Sequence, residues 1–344
     1  MLEYNIIKCH GCGNDFVIIN GILAKLPNLY IKKLVSFLTD RKGPLGADGI
    51  ICIENSKIAD AKVIFFNPNG NRTKMCLNGI RCVARLIFEN SKNNNNFVVK
   101  IETDAGIIKI DTEFDVENNI EFYVVNDIID IDFNAKNVPI KIDSRECIDK
   151  RIDFLSKDII FSAIKVYTPH LIALVDHIDE NILYNIGVRA NANIDIFPEG
   201  INVSFVKILN KDSIFVRTFE RDNIGMSLSC SSAMVASACV LVKLKKMDTN
   251  NWINIYNKGG LIKANCNRDN NNFCVRISGP ATIVYSAKLE INDMCLNRVD
   301  NQEDVGRFNV VNGNVDLNEI DKYNNFLIET KEQSGEKNFL NEML

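Results

Sequence analysis

The sequence predicts an α+β protein of two pseudo-equivalent domains, each a mostly antiparallel β-sheet curled around one central helix. Three observations lead there. A chain of 344 residues is long enough for two domains of ordinary size, each with its own core. Short β-rich runs, one apolar helix led by a cysteine, and further β-rich runs occur in that order twice. The two helices also begin alike: "MCLNGIRCVARL" (75–86) and "LSCSSAMVASACVLVKL" (228–244) each place a thiol just before an apolar helical pattern.

The elements follow in order. "YNIIKCHG" and "DFVIINGI" read as two strands joined by a Gly-rich turn, and "NLYIKKLVSFLTDRK" as a helix running into the turn "GPLGADG". "IICIEN" and "AKVIFFNPNGN" are strands, the second closed by Pro68, Asn69 and Gly70. The Cys76 helix comes next and ends near "NSKNNNN"; "FVVKIETDAGIIKIDTEF" and "IEFYVVNDIIDIDF" are strand pairs. The second half repeats the plan. "IIFSAIKVYTPHLIALVD" is β-rich, "DENILYNIGVRAN" helical, "INVSFVKIL" and "SIFVRTFE" strands, and the Cys230 helix precedes "GGLIKANC", "NFCVRISG" and "ATIVYSAKLEI". The expected domains are 1–125 with a returning strand near 281–291, and 126–280. Residues 292–344 form an acidic, Asn-rich extension with at most one or two surface helices, read as loosely docked.

A hydrophobic fraction of 46% and a charged fraction of 24% are those of a soluble globular protein, and a net charge of −4 calls for neither nucleic acid nor an anionic membrane. No signal-peptide pattern opens the chain and no apolar run approaches the ~18 residues of a membrane span, so a cytoplasmic location is expected. There the eleven cysteines are expected as reduced thiols, and their odd number also argues against a fully paired set.

"CHGCGNDF" holds a C-x-x-C and the fragment G-x-G, yet no second ligand pair completes a zinc site and the segment leads into a strand rather than a helix. No metal and no cofactor are expected; the glycines are read as letting Asn14 approach a ligand closely. Cys82 and Cys239 lie inside apolar helical stretches and are expected to be inert. Cys76 and Cys230 differ, because each stands at a helix start, where unpaired N–H groups and the dipole are expected to lower a thiol from about 8.5 toward neutrality. Two such thiols facing one pocket could exchange a proton with a carbon between them, one as base and one as acid. The same N–H groups would hold a carboxylate and the charge of the carbanion beside it. The residues alone therefore point to cofactor-independent inversion of a carbon acid, with an inert pair of buried thiols as the competing reading.

These residues resemble the diaminopimelate epimerase family, whose members invert a carbon of 2,6-diaminopimelate without pyridoxal phosphate, using two cysteines. The resemblance runs from about residue 4 to 291 through "KCHGCGNDF", "FFNPNGNRTKMCLNGIRCVAR", "YTPH", "GINVSFV" and "RTFERDNIGMSLSCSSAM". It implies Cys76 and Cys230 as the acid/base pair, with His170 and Glu220 supporting the thiols. It also implies Asn14, Asn67, Thr168, Asn202, Glu220 and Arg221 at the substrate's distal amino acid end. Leu77, Asn78, Ser231 and Ser232 would flank the reacting carboxylate. The active site would lie in a cleft between domains, and the substrate would be a small amino acid feeding lysine and cell-wall precursor synthesis. A homodimer is left open. The sequence departs from the family pattern at Leu77, Ser231 and Ala233, where glycines are usual, and at Thr168, where asparagine is usual. Those departures keep two alternatives in view: a racemase for another amino acid, and a non-catalytic binding protein.

Overall fold

The computed structural model describes residues 2–334 other than 23–25, 27, 44, 91–97, 116–119, 129–130, 223, 250, 270–271, 292–307, 312–314 and 316. The chain divides into two compact units, Met1–Thr112 with Ala281–Asn324, and Glu113–Pro280 with Asn325–Leu344.

In the first unit β1 (Leu2–Gly11) and β2 (Asn14–Asn20) form a hairpin, and α1 (Asn28–Thr39) crosses to β3 (Gly49–Glu54), which runs parallel to β2. β4 (Ala61–Phe66) returns antiparallel and ends in a small hairpin with β5 (Arg72–Thr73). α2 (Leu77–Asn90) then crosses to β6 (Val99–Thr103), parallel to β4, and β7 (Gly106–Asp115) closes that edge. Both faces of this sheet are covered, which explains its near-continuous apolar runs. Val17, Ile19, Ile50, Cys52 and Ile64 pack toward Ile31, Leu34, Val35 and Leu38 of α1. The other face meets α2, and closely: a Cβ on Gly79 would stand 2.8 Å from Ile51 and 3.0 Å from Phe65.

The second unit opens with β8 (Ile120–Ile128), β9 (Ile131–Asp132) and β10 (Lys150–Ile152) and then repeats the same order. β11 (Ser156–Val166) and β12 (Thr168–Leu174) form a hairpin; α3 (Glu180–Ala192) crosses to the parallel strand β13 (Asn202–Asn210); β14 (Ser213–Glu220) returns with its small partner β15 (Gly225–Met226). α4 (Ser231–Lys243) crosses to β16 (Trp252–Asn257), parallel to β14, and β17 (Gly260–Asp269) follows. Each cysteine-led helix is thus the second crossover of its unit. α4 is apolar all round, with Ala233 to Val242 buried, as a helix enclosed by a curled sheet must be. It packs against β11 to β14, β16 and β17, and β18 (Asn272–Pro280). Its Ala and Ser positions keep it slim enough for that enclosure. β18 also pairs with β8, which places Ile120 to Val125 in this unit rather than in the first, where the sequence pattern put them.

The chain returns to the first unit through β19 (Thr282–Ile291), antiparallel to β1, with β20 (Phe308–Val311) on its outer edge. The last element is α5 (Leu317–Ser334), whose residues to Asn324 belong to the first unit and from Asn325 to the second. The expectation of a loosely docked extension is corrected here for β20 and α5. Tyr323, Phe326, Leu327, Thr330 and Ser334 are all buried, at the i, i+3, i+4, i+7 spacing of one helix face. Residues 292–307, 312–314, 316 and 335–344 of the extension lie outside the described residues. Among the described residues no helix is long and apolar enough to cross a membrane.

Candidate active site

In the first unit the site grows from the β1–β2 turn and the start of α2. Cys76 immediately precedes the helix, and its sulfur accepts the Gly79 N–H at 3.4 Å, so the thiol occupies the capping position of α2. Arg81, fully buried one turn on, donates to Leu77 O at 2.9 Å and to Asn78 Oδ1 at 2.6 Å. With its oxygen so held, Asn78 turns its Nδ2 to Asn14 Oδ1 at 3.1 Å, and Asn14 turns its own Nδ2 to Asp48 Oδ2 at 2.9 Å. The guanidinium at one end and the carboxylate at the other fix which way each amide faces. Asn14 Oδ1 also lies 3.9 Å from the Cys76 sulfur.

Asp48 belongs to a further group. Arg41 bonds both Asp15 (2.7 and 2.9 Å) and Asp48 (2.5 Å), and Lys8 bonds Asp15 and Gly46 O. Burial alone would raise the Asp15 carboxyl, but Arg41 and Lys8 outweigh it and hold it down at about 2. Asp48, raised by burial and by the Asp15 charge beside it, is the weaker acid of the two. Gly11 serves contact rather than ligand approach: a Cβ there would meet Arg81 Nη2 at 3.0 Å and Asn78 at 3.1 Å, so the residue lets the hairpin close onto α2.

In the second unit Cys230 caps α4, with its sulfur 3.4 Å from Ser232 Oγ, and the Glu220 carboxylate borders the thiol. Asn202 Oδ1 accepts the Arg221 N–H at 2.9 Å, and the Arg221 guanidinium donates to Glu199 O at 2.6 Å. His170, fully buried, pairs through β12 and β13 with Asn202, and its Nε2 lies 3.0 Å from the Thr168 hydroxyl. Burial and then the Arg221 charge lower His170 to about 3, so it is a neutral imidazole at physiological pH. Asn191 ties this edge together, bonding Gly187 O at 2.8 Å, Ile201 O at 3.0 Å and Ile201 N at 2.9 Å. Gly187 lets α3 press on β14, since a Cβ there would stand 2.3 Å from Phe219.

The thiol acidities differ from the expectation. Burial pushes Cys76 up to about 12 against the opposing Gly79 and Asn78 N–H groups. Cys230 is raised well above its ordinary value, first by burial and then by Glu220, against Ser232 and the Ala233 N–H. The helix starts do favour the thiolates, but desolvation of the sulfur is the larger effect.

The structure therefore brings Asn14, Cys76, Leu77 and Asn78 together in one unit. In the other it assembles Thr168, His170, Asn202, Glu220, Arg221, Cys230, Ser231 and Ser232. Leu77 and Ser231 are buried. Asn67 sits in the turn after β4, where its carbonyl accepts the Gly70 N–H. Asn14 and Thr168 hold the same place in the repeat, each the first residue of the second hairpin strand. Sequence reasoning missed Lys8, Asp15, Arg41, Asp48, Arg81 and Asn191. A signal existed for Arg81, a charge on the apolar face of "LNGIRCVA". Cys9, Cys12, Cys82 and Cys239 are buried, and burial raises Cys9, Cys12 and Cys239, as befits interior thiols.

The fold is that of several epimerases and related proteins of known structure. A phenazine biosynthesis protein of the PhzF family from Bacillus anthracis matches with a TM-score of 0.61 at 14% identity, covering 84% of this chain and 99% of that one. A hydroxyproline epimerase from Agrobacterium vitis matches with a TM-score of 0.60 at 14% identity, covering 83% and 92%. Sequence goes further. The family model for diaminopimelate epimerase matches residues 6–126 and 162–284. A diaminopimelate epimerase from Clostridium acetobutylicum is 34% identical over 85% of this chain and 87% of its own length; one from Caldanaerobacter subterraneus subsp. tengcongensis is 32% identical over 83% and 98%. The chain is an amino acid epimerase, an isomerase, and belongs to the diaminopimelate epimerase family.

Proposed function

We propose that this protein inverts one α-carbon of LL-2,6-diaminopimelate to give the meso form, with Cys76 and Cys230 as the acid/base pair. The observation that carries the reading is the duplicated arrangement: in each unit a cysteine stands immediately before the second crossover helix, in a chain of this family. Cys76 is the easier thiol to ionise, because two N–H groups oppose its burial, whereas Cys230 borders the Glu220 carboxylate. In the LL-to-meso direction the Cys76 thiolate takes the α-proton and the Cys230 thiol delivers its own proton to the opposite face. Both sulfurs exchange protonation state, and no net proton is gained or lost. The electron pair left on carbon spreads into the neighbouring carboxylate, whose charge the N–H groups at the helix starts stabilise. Substrate closure excludes water and makes those N–H groups count for more. Asn14, Asn67, Asn202, Glu220 and Arg221 hold the distal amino acid end, and the cytoplasm is the compartment where the reaction serves lysine and cell-wall precursor synthesis.

A second reading, racemisation of another amino acid, is favoured by one observation. The Thr168 hydroxyl, where the family pattern has an amide, is engaged by His170. Proton NMR in D2O decides between them. Loss of the α-proton signal from LL- and meso-diaminopimelate, faster than from monocarboxylic amino acids, is the expected result. Faster exchange in a monocarboxylic amino acid replaces the substrate assignment with the second reading. No exchange in any amino acid overturns both.

A further inference from the structure

The last helix, α5, packs against the elements of the first unit that carry Cys76. Its first turn bonds α2: Glu319 Oε2 accepts Arg85 Nη1 at 2.7 Å, and Arg85 also donates to Ala281 O at 2.7 Å. One turn later Tyr323, 5% exposed, lays its ring 4.1 Å from the His10 ring, tilted by 58°. His10 is the penultimate residue of β1, and its Nδ1 accepts the Gly13 N–H at 3.3 Å across the hairpin turn.

That turn is unusual. Its two central residues, Cys12 (φ 52°) and Gly13 (φ 77°), are both left-handed, as in a type I′ hairpin turn, a conformation that cysteine adopts only against steric cost. The conformation therefore depends on what packs against it. The next residue is Asn14, paired with Gly11 in the ladder, and its amide meets Cys76 and Asn78. A shift of the turn moves that amide directly.

We propose that Tyr323 is a positioning residue for the reaction: by holding the His10 ring it fixes the Gly13 N–H, the left-handed turn, and through it Asn14 against Cys76. The residue lies beyond the part of the chain that the family model matches, which ends at 284. Extension and site are thus one device in this protein. His10 is suited to its place because burial lowers it to about 4, leaving Nδ1 an acceptor at neutral pH. Burial and the neighbouring Cys12 likewise hold the Tyr323 phenol well above its ordinary value, so the ring stays uncharged.

The role in catalysis rests on the proposed two-thiol reaction, so the test reads the thiols as well as turnover. Wild type, Tyr323→Ala and Tyr323→Phe are treated with iodoacetamide, and the modification rates of Cys76 and Cys230 are followed separately by peptide mapping. In Tyr323→Ala, Cys76 is expected to react at least fivefold faster while Cys230 stays within twofold of wild type; Tyr323→Phe, which keeps the ring, restores the slow rate. With diaminopimelate, Tyr323→Ala raises KM several-fold and Tyr323→Phe does not. An unchanged Cys76 rate overturns the proposal, as does equal acceleration of both thiols, which is general loosening, or an alanine-like phenylalanine variant. If wild type turns over no diaminopimelate, the functional reading fails while the thiol comparison still judges Tyr323.

Discussion

Replacing Asp15 by asparagine tests the electrostatic frame behind Asn14. The Asp15 carboxylate accepts from Arg41 and Lys8, and its side chain is only 14% exposed, so the ion pairs are poorly screened. Its folded value of about 2 stands against 3.8 for the free group. One pKa unit is worth about 1.4 kcal/mol, so the ionised form stabilises the fold by roughly 2 kcal/mol. The folded value is the depressed one, so this stabilisation is complete above pH 4–5 and is lost as pH falls toward 2, with about half remaining near pH 3. Asp15→Asn should therefore lower stability at pH 7 by at least about 2 kcal/mol, the uncompensated Lys8 charge adding to the loss. For a unit of this size 1 kcal/mol corresponds to about 2–4 °C, so the melting temperature should fall by about 4–8 °C or more. Melts of wild type and variant at pH 7 and pH 3 give the decisive comparison. The gap should narrow by about 1 kcal/mol at pH 3, because the wild type has then lost part of the same charge. An identical gap at both pH values would refute the reasoning, whatever its size.

Cys76→Ala and Cys230→Ala should each lower turnover by about 10²–10⁴-fold while leaving the melting temperature within a few degrees; wild-type turnover in either removes that thiol from the reaction. Gly187→Ala should destabilise by about 1–3 kcal/mol, because the added methyl is driven into Phe219, and denaturant midpoints measure it. Glu180→Gln should cost roughly 1–3 kcal/mol, since Arg217 is 3% exposed and loses the carboxylate it bonds at 2.9 Å. Part of that cost should fade in acid, where the wild-type Glu180, lowered by Arg217 and Lys258 against its burial, takes up a proton.

The fold was legible because its information is local and repeated. Apolar runs such as "FVIIN" and "VIFF" declare strands covered on both faces, and the two cysteine-led helices mark the second crossover of each unit. Where the pattern was thin it failed: "WINIYN" forms β16, its Ile253 and Ile255 buried, but its alternating asparagines hid it beside the polar run before it. The extension failed for a related reason. α5 buries one stripe of five residues on an otherwise polar helix, and an average over composition erases a stripe.

The site was legible to a different depth. Residue types with their own chemistry, the thiols and the glutamate and arginine at the end of β14, stand out in any sequence, and the fold gathers them within their units. Their supports do not stand out. Lys8, Asp15, Arg41 and Asp48 look like ordinary surface charges until parallel pairing of β2 with β3 brings the start of one strand beside the approach to the next. Thiol acidity was misjudged for the same reason: a helix start can be read from sequence, whereas the depth of a sulfur cannot. Desolvation depends on every neighbour at once, and here it exceeds the pull of the N–H groups. A thiol held neutral by burial and edged by oriented N–H groups is poised rather than active. Under the proposed two-thiol reaction, Cys76 must then lose its proton as substrate binds, since burial keeps the free thiol neutral.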